Sequence, residues 1–181
     1  MACIGPGDVA LTMADIRVVT RFAAGCAAGV LPLFDVPGDD RPRAALDAAL
    51  DFAGGAERSR RQRVTAVGAA RAGRAAPSGP ARHAALAAAD AAASAYLHPL
   101  ARATQVGHVL RAAAHAAYAV ELADGGGPET GDAALERARL RAGPDLVAVL
   151  VRYPRAPQGR SRVARLMSDL DDALRRTAPA D

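Results

Sequence analysis

Tryptophan, lysine and asparagine are absent from this chain of 181 residues, and aromatic residues make up only 3% of it. A core without bulky rings has to form by close packing of small and aliphatic side chains, and alanine is abundant here. All 23 basic residues are arginines, and 19 acidic residues leave a formal net charge of +4. Because no aromatic residues alternate with the arginines and no nucleic-acid motif occurs, we do not expect nucleic-acid binding.

Cysteine is also scarce. The two cysteines, Cys3 and Cys26, provide no disulfide framework, as is usual for a protein of the reducing cytosol. The beginning of the chain has no basic segment followed by an apolar run, and no uninterrupted apolar stretch of about 18 residues occurs. We therefore expect a cytoplasmic protein with no membrane partner.

Apolar residues recur at helical spacing along most of the chain, whereas the alternation typical of strands is weak. The length favours one domain. The predicted fold class is an all-α, single-domain bundle of about eight helices, with stacked helical hairpins as one possible arrangement. We predict a loose extension over 1–11, the domain over 12–176 and a tail over 177–181.

The centre of the predicted bundle is the segment 99–122. It has only three charged residues, Arg102, Arg111 and Glu121, so it lacks the wide polar face of a surface helix. Proline suits the first turn of a helix and favours extended geometry in the residue before it. We therefore predict a buried central helix that begins at Pro99, after a corner at His98; the alternative is a continuous helix with a kink.

Polar side chains follow one side of this predicted helix. Gln105, His108 and His115 alternate with alanines, and His98 projects the same way if the helix continues back through it. These groups are either hydrogen-bonded core residues, which we favour, or the lining of a polar pocket in which His98 and His108 titrate. His108 and His115 lie about 10 Å apart along the axis, too far to bind one ion. No metal site and no cofactor is predicted.

Arginines gather at the predicted starts of two other helices. The run DDRPR at 39–43 opens helix 2. Helix 3 is predicted over about 57–74, with Arg58, Arg60, Arg61 and Arg63 near its start. Each cation at this positive end of the helix dipole is unfavourable by a few tenths of a kcal/mol. Solvation or an acidic partner would relieve that repulsion.

Five segments are informative when they are taken together. They are RFAAGCAAGVLPLF at 21–34, DDRPRAALDAALDFAGG at 39–55, the alanine-rich helix at 81–97, AYLHPLARATQVGHVLRAAAHAAYAVEL at 95–122 and VRYPRAP at 151–157. In combination they resemble a bacterial family of immunity proteins, the immunity-protein-five-like domain. The resemblance implies an all-α cytoplasmic protein that neutralises a toxin by binding it. It carries over no catalytic residues, and His115 stands where the family pattern suggests an aromatic residue.

Three hypotheses follow. The first is a non-catalytic immunity protein whose partner, a toxin or another neighbouring-gene product, contacts Arg41, Arg43, Arg58 and Arg61.

The second is a small-molecule-binding protein or enzyme of specialised metabolism. In it Arg41 holds an anionic group, Asp40, His98 or His108 acts as acid or base, and Gln105 and His115 contribute to the pocket. This requires the start of helix 2 to lie beside the His98 corner. In the third, purely structural hypothesis, the histidines are hydrogen-bonded core residues and the arginines keep the protein soluble.

Overall fold

Eight α-helices, joined by short loops and three 3-10 turns, form the part of the chain that the computed structural model describes, residues 8–178. They are α1 (Met13–Val30), α2 (Arg41–Ala53), α3 (Arg60–Ala75), α4 (Gly79–Ala93), α5 (Val106–Ala123), α6 (Pro128–Arg141), α7 (Pro144–Leu150) and α8 (Arg162–Arg175). The predicted all-α fold class is confirmed.

Side chains at the helix starts explain why the helices begin where they do. Thr12 and Asp15 form a reciprocal capping box at the start of α1, in which each side chain accepts a hydrogen bond from the other's backbone N–H. Ser161 caps α8 by accepting from the Ala164 N–H. α2 opens in the DDRPR run, as predicted, and Gly54 caps its end.

Helices α1 and α5 stand between two differently built halves of the core. One half consists mainly of alanines from α2, α3 and α4 packed on one side of α1 and α5. The other half contains the large aliphatic side chains of α7 and α8, packed on the opposite side of the same two helices. In a solenoid each unit contacts only its neighbours in sequence, but α5 also packs against α1 and α8. The arrangement is therefore a layered bundle with α5 at its centre.

The alanine half allows helices to approach closely. A Cβ placed on Gly73 of α3 would lie 3.0 Å from the Arg82 carbonyl oxygen and 3.1 Å from Cγ of Leu86 in α4. α3 packs mainly on α2 and α4, so it forms an outer edge of the bundle. Its buried residues lie along one side only, and the other side faces solvent.

The central helix begins later than predicted. Residues 98–102 form no helix; a 3-10 turn, Ala103–Gln105, precedes α5, which starts at Val106. Contacts from distant segments use the backbone groups that a helix would have needed: the Tyr153 hydroxyl donates to the His98 carbonyl (2.8 Å), and the Val9 N–H donates to the Pro99 carbonyl (2.8 Å). Pro99 therefore belongs to an irregular loop, and the prediction that it starts the helix is wrong.

The start of helix 3 also differs from the prediction. It begins at Arg60, because Ser59 and Gln62 form its capping box, so Arg58 lies before the helix.

Within the predicted extension 1–11, Val9 is buried, and its N–H donates to the Pro99 carbonyl. Cys3 and the rest of 1–7 lie outside the described residues. In the predicted tail, Thr177 is hydrogen-bonded to Leu174, and 179–181 lie outside the described residues.

One segment, Met13–Leu33, is long and apolar enough to cross a membrane by length and composition alone. The core helix of a soluble protein meets the same criteria. Here Val19, Ala23 and Ala27 have no exposed surface, because the neighbouring helices cover them.

Candidate functional site

A cluster of titratable side chains lies where α4 crosses α5. His83 and Asp90 project from α4 and meet Arg111 and His115 of α5; we call these four residues the Asp90 cluster. The Nδ1 atoms of His83 and His115 are 2.8 Å apart, and Nε2 of His115 lies 3.6 Å from the Asp90 carboxylate. The Asp90 carboxylate also accepts from Arg111, with Nη2 at 2.6 Å and Nε at 3.0 Å. Tyr118 packs against the His83 ring at 4.6 Å between centroids.

Burial decides the charge state of this cluster. Desolvation lowers the pKa of His115 to about 4, despite the opposing effect of the Asp90 carboxylate. Desolvation also lowers the pKa of His83, and the nearby Arg82 guanidinium adds to that effect. Hydrogen bonding to Asp90 raises the pKa of Arg111. The cluster therefore has a permanent ion pair beside two histidines that are neutral at pH 7.

The His98 corner collects three of the predicted site residues. The His98 N–H donates to Oε1 of Gln105 at 3.0 Å, which folds the amide back over the loop. His98 itself is exposed. Most of the His108 side chain is buried: desolvation lowers its pKa, and its Nδ1 has no hydrogen-bond partner among residues 8–178. The predicted polar stripe is thus divided between this corner and the Asp90 cluster.

Asp40 and Arg41 lie at the other end of α2 from that corner. Arg41 pairs with Asp39 at 2.5 Å and lies beside Gly68 in the middle of α3. The last turn of α2 faces the corner, because Phe52 in that turn packs with Ala95, which lies just before His98 in the chain. Phe52 is eleven positions after Arg41, which corresponds to about 16 Å along the helix. The structure therefore does not bring Asp40 and Arg41 together with His98 and His108.

The other predicted partner-binding arginines are exposed near the start of α3 or on α2. Arg61 pairs with Asp51 of α2. Arg58 donates to the Ala95 carbonyl at 3.3 Å and lies over the Tyr96 ring. Arg43 is exposed on α2. Since Arg41 also lies against α3, the DDRPR corner and the arginines of helix 3 do share one region of the surface.

A further set of side chains forms a stripe on α3, which we call the α3 outer face. All its members are solvent-exposed and fall within about 100° of the helix circumference. They are Arg60, Arg63, Val64, Val67, Arg71 and Arg74. Val64 and Val67 are 53% and 47% exposed, which is unusual for valine in the middle of a helix.

Sequence reasoning missed both the Asp90 cluster and most of the α3 outer face. His83 and His115 are 32 residues apart, so no local spacing indicates that they touch. The α3 outer face, by contrast, could have been predicted, because its residues recur at helical intervals in the sequence.

In the described part of the chain, the predicted site residues form no metal-binding group, and none of them lines the cleft between α6 and α7. Within residues 8–178, no group of three His, Cys, Asp or Glu side chains is placed to hold a metal ion. A cleft of about 710 Å³ lies among α6, α7 and the end of the described chain, and Leu140, Val147 and Val151 line it.

The match to a known family covers most of the helices described above. The family model described as Imm-5 like putative immunity protein matches residues 10–142, from just before α1 to just after α6. The chain belongs to this immunity protein family. The matched range includes the Asp90 cluster and the α3 outer face, whereas α7 and α8 lie beyond it. No curated protein and no solved structure matches the chain.

Proposed function

We propose that this protein is a cytoplasmic immunity protein that neutralises a toxin by binding it directly, without catalysis. Membership of the Imm-5 like family is the observation that carries this proposal. The exposed basic region shared by α2 and α3 lies inside the matched range and supplies a surface on which a partner can dock.

The small-molecule hypothesis has less geometric support. It needed Arg41 to hold an anionic group beside His98 and His108, but Arg41 lies at the start of α2 and it is the other end of α2 that packs near the His98 corner. His115 contacts His83 and Asp90, as expected for a polar core group.

Growth rescue tests the proposed function. Each product of the neighbouring genes that inhibits growth is expressed in a sensitive host with and without this protein, and an unrelated helical protein serves as control. We expect growth only with this protein, and a complex of the two on size exclusion. Failure to rescue growth from the products of all neighbouring genes contradicts the proposal.

A titration separates binding from catalysis. Purified protein is added stepwise to a fixed amount of toxin, and residual toxin activity is measured. A direct binder abolishes the activity near one equivalent, because each molecule occupies one toxin. Complete protection far below one equivalent would mean that the protein turns over a substrate, and would overturn the non-catalytic part of the proposal.

A further inference from the structure

One long part of this chain carries positive charge and no negative charge. Seven of the 23 basic residues and none of the 19 acidic residues lie between positions 58 and 89, so the rest of the chain carries a formal charge of −3. Those 32 residues include all of α3 and most of α4. The molecule is therefore electrically polarised, with a basic side that α3 dominates.

The arginines of the α3 outer face are not neutralised within the protein. In the described part of the chain, Arg60, Arg71 and Arg74 have no carboxylate within ion-pair distance, whereas Arg41 and Arg61 pair with Asp39 and Asp51. Arg63 lies over the Tyr96 ring, with its guanidinium carbon 4.6 Å from the centroid, a contact that orients the side chain and keeps its charge.

Two exposed valines lie among these cations. Val64 and Val67 occupy the middle of a stripe about 20 Å long, with arginines at both ends. An apolar centre with a charged rim is typical of a protein–protein interface. Nucleic-acid surfaces instead combine basic side chains with stacking aromatics. The aromatic residue nearest this stripe, Tyr96, donates its hydroxyl to the Ser59 carbonyl and lies against Arg58 and Arg63.

We propose that the α3 outer face is the surface that binds the toxin, and that the toxin surface it covers is acidic with an apolar centre. This inference rests on the proposed function and names the side of the molecule that carries it out. Charge complementarity speeds association and selects the partner, while the buried valines exclude water from the centre of the contact. A nuclease binds nucleic acid through a basic surface, which these arginines would repel. The toxin surface covered here is therefore not a nucleic-acid-binding cleft.

Charge reversal tests this surface. The variant Arg60→Glu/Arg71→Glu/Arg74→Glu is compared with Arg102→Glu/Arg137→Glu/Arg176→Glu, which changes three exposed arginines outside α3. Binding to the inactivated toxin encoded beside this gene is measured by calorimetry at low and physiological salt. We expect the α3 variant to lose at least about tenfold in affinity, with a reduced dependence on salt, and the control to bind like the wild type.

A second variant covers the case in which charge reversal disturbs folding. Val64→Ser/Val67→Ser alters only exposed side chains, and circular dichroism checks that the helices are intact. It should weaken binding without changing its salt dependence.

The outcomes are distinguishable. If the wild type binds the toxin and both α3 variants bind it as tightly as the wild type does, the assignment of this surface is wrong and the proposed function stands. If the wild type binds no neighbouring toxin, the proposed function fails and this inference fails with it. Tight binding of a short DNA duplex by the wild type, lost in the charge-reversal variant, would assign the face to nucleic acid instead.

Discussion

The contact between His83 and His115 determines which ring nitrogens carry hydrogens. The carboxylate of Asp90 can only accept, so the Nε2 of His115 that faces it carries a hydrogen when the ring is neutral. Nδ1 of His115 then accepts from Nδ1–H of His83 across 2.8 Å. If both rings became cations, two N–H groups would face each other at that distance. The cluster therefore favours neutral histidines.

This preference predicts a loss of stability in mild acid. The unfolded chain binds a proton at His115 near pH 6.5, whereas the folded protein does so only near pH 4. Neutral His115 therefore stabilises the folded state fully above pH 6.5. This stabilisation is lost as the pH falls towards 4, and the free energy of unfolding decreases by roughly 2 to 3 kcal/mol.

Denaturant unfolding between pH 7.5 and about 4 checks this dependence. His115→Gln keeps a polar side chain but removes the titration, so its stability should fall less steeply than that of the wild type. His98→Gln changes an exposed histidine and serves as the control. Parallel curves for the wild type and His115→Gln would contradict the assignment.

One arginine forms ion pairs that link α5, α6 and α8. Arg162 of α8 contacts the buried carboxylate of Glu121 in α5 at 2.8 Å and Asp132 of α6 at 2.7 Å. Gly131 provides the room for it: a Cβ there would lie 2.1 Å from Oε2 of Glu121. One guanidinium therefore joins three helices, and its two carboxylate partners raise the pKa of Arg162.

Removing that guanidinium should destabilise the fold. Arg162→Met leaves Glu121 buried without a partner, and we expect a loss of about 3 kcal/mol in the free energy of unfolding. Arg165→Met, at an exposed position in the same helix, is the matched control and should change stability little. Adding Glu121→Leu to Arg162→Met should restore much of the loss, since no unpaired charge is left. If Arg162→Met and its control are equally stable, the ion pair contributes little.

At the scale of the whole molecule, the helices beyond the family match complete the core. α7 and α8 supply Leu146, Leu150, Leu166, Leu170 and Leu174 to the cluster that contains Val106, Val109 and Leu110 of α5. The aliphatic half of the bundle thus depends on residues outside 10–142.

Truncation after Ala142 tests this dependence. We expect residues 1–142 to aggregate or to bind a hydrophobic dye, because one side of the central helix would be exposed. Size exclusion and dye fluorescence measure both effects, and a chain that ends at residue 178 is the control. A soluble, cooperatively unfolding 1–142 fragment would show that the family-matched segment folds independently.

The all-α class, most helix starts and the family resemblance could be read from the sequence, because these depend on residues within one or two turns of each other. Thr12 with Asp15, Ser161, and the proline and glycine breaks all act over such distances. The concentration of positive charge between 58 and 89 was equally visible.

The loop at Pro99, the partners of His115 and the position of Arg41 depend on contacts between distant parts of the chain. Pro99 would have started a helix, but Tyr153 and Val9, both distant in sequence, hold the backbone around it in a loop. Likewise, the partners of His115 are set by how α4 crosses α5, and the separation of Arg41 from His98 is set by which end of α2 packs beside Ala95. Such contacts join residues 25 or more positions apart, and local spacing carries no information about which of them meet.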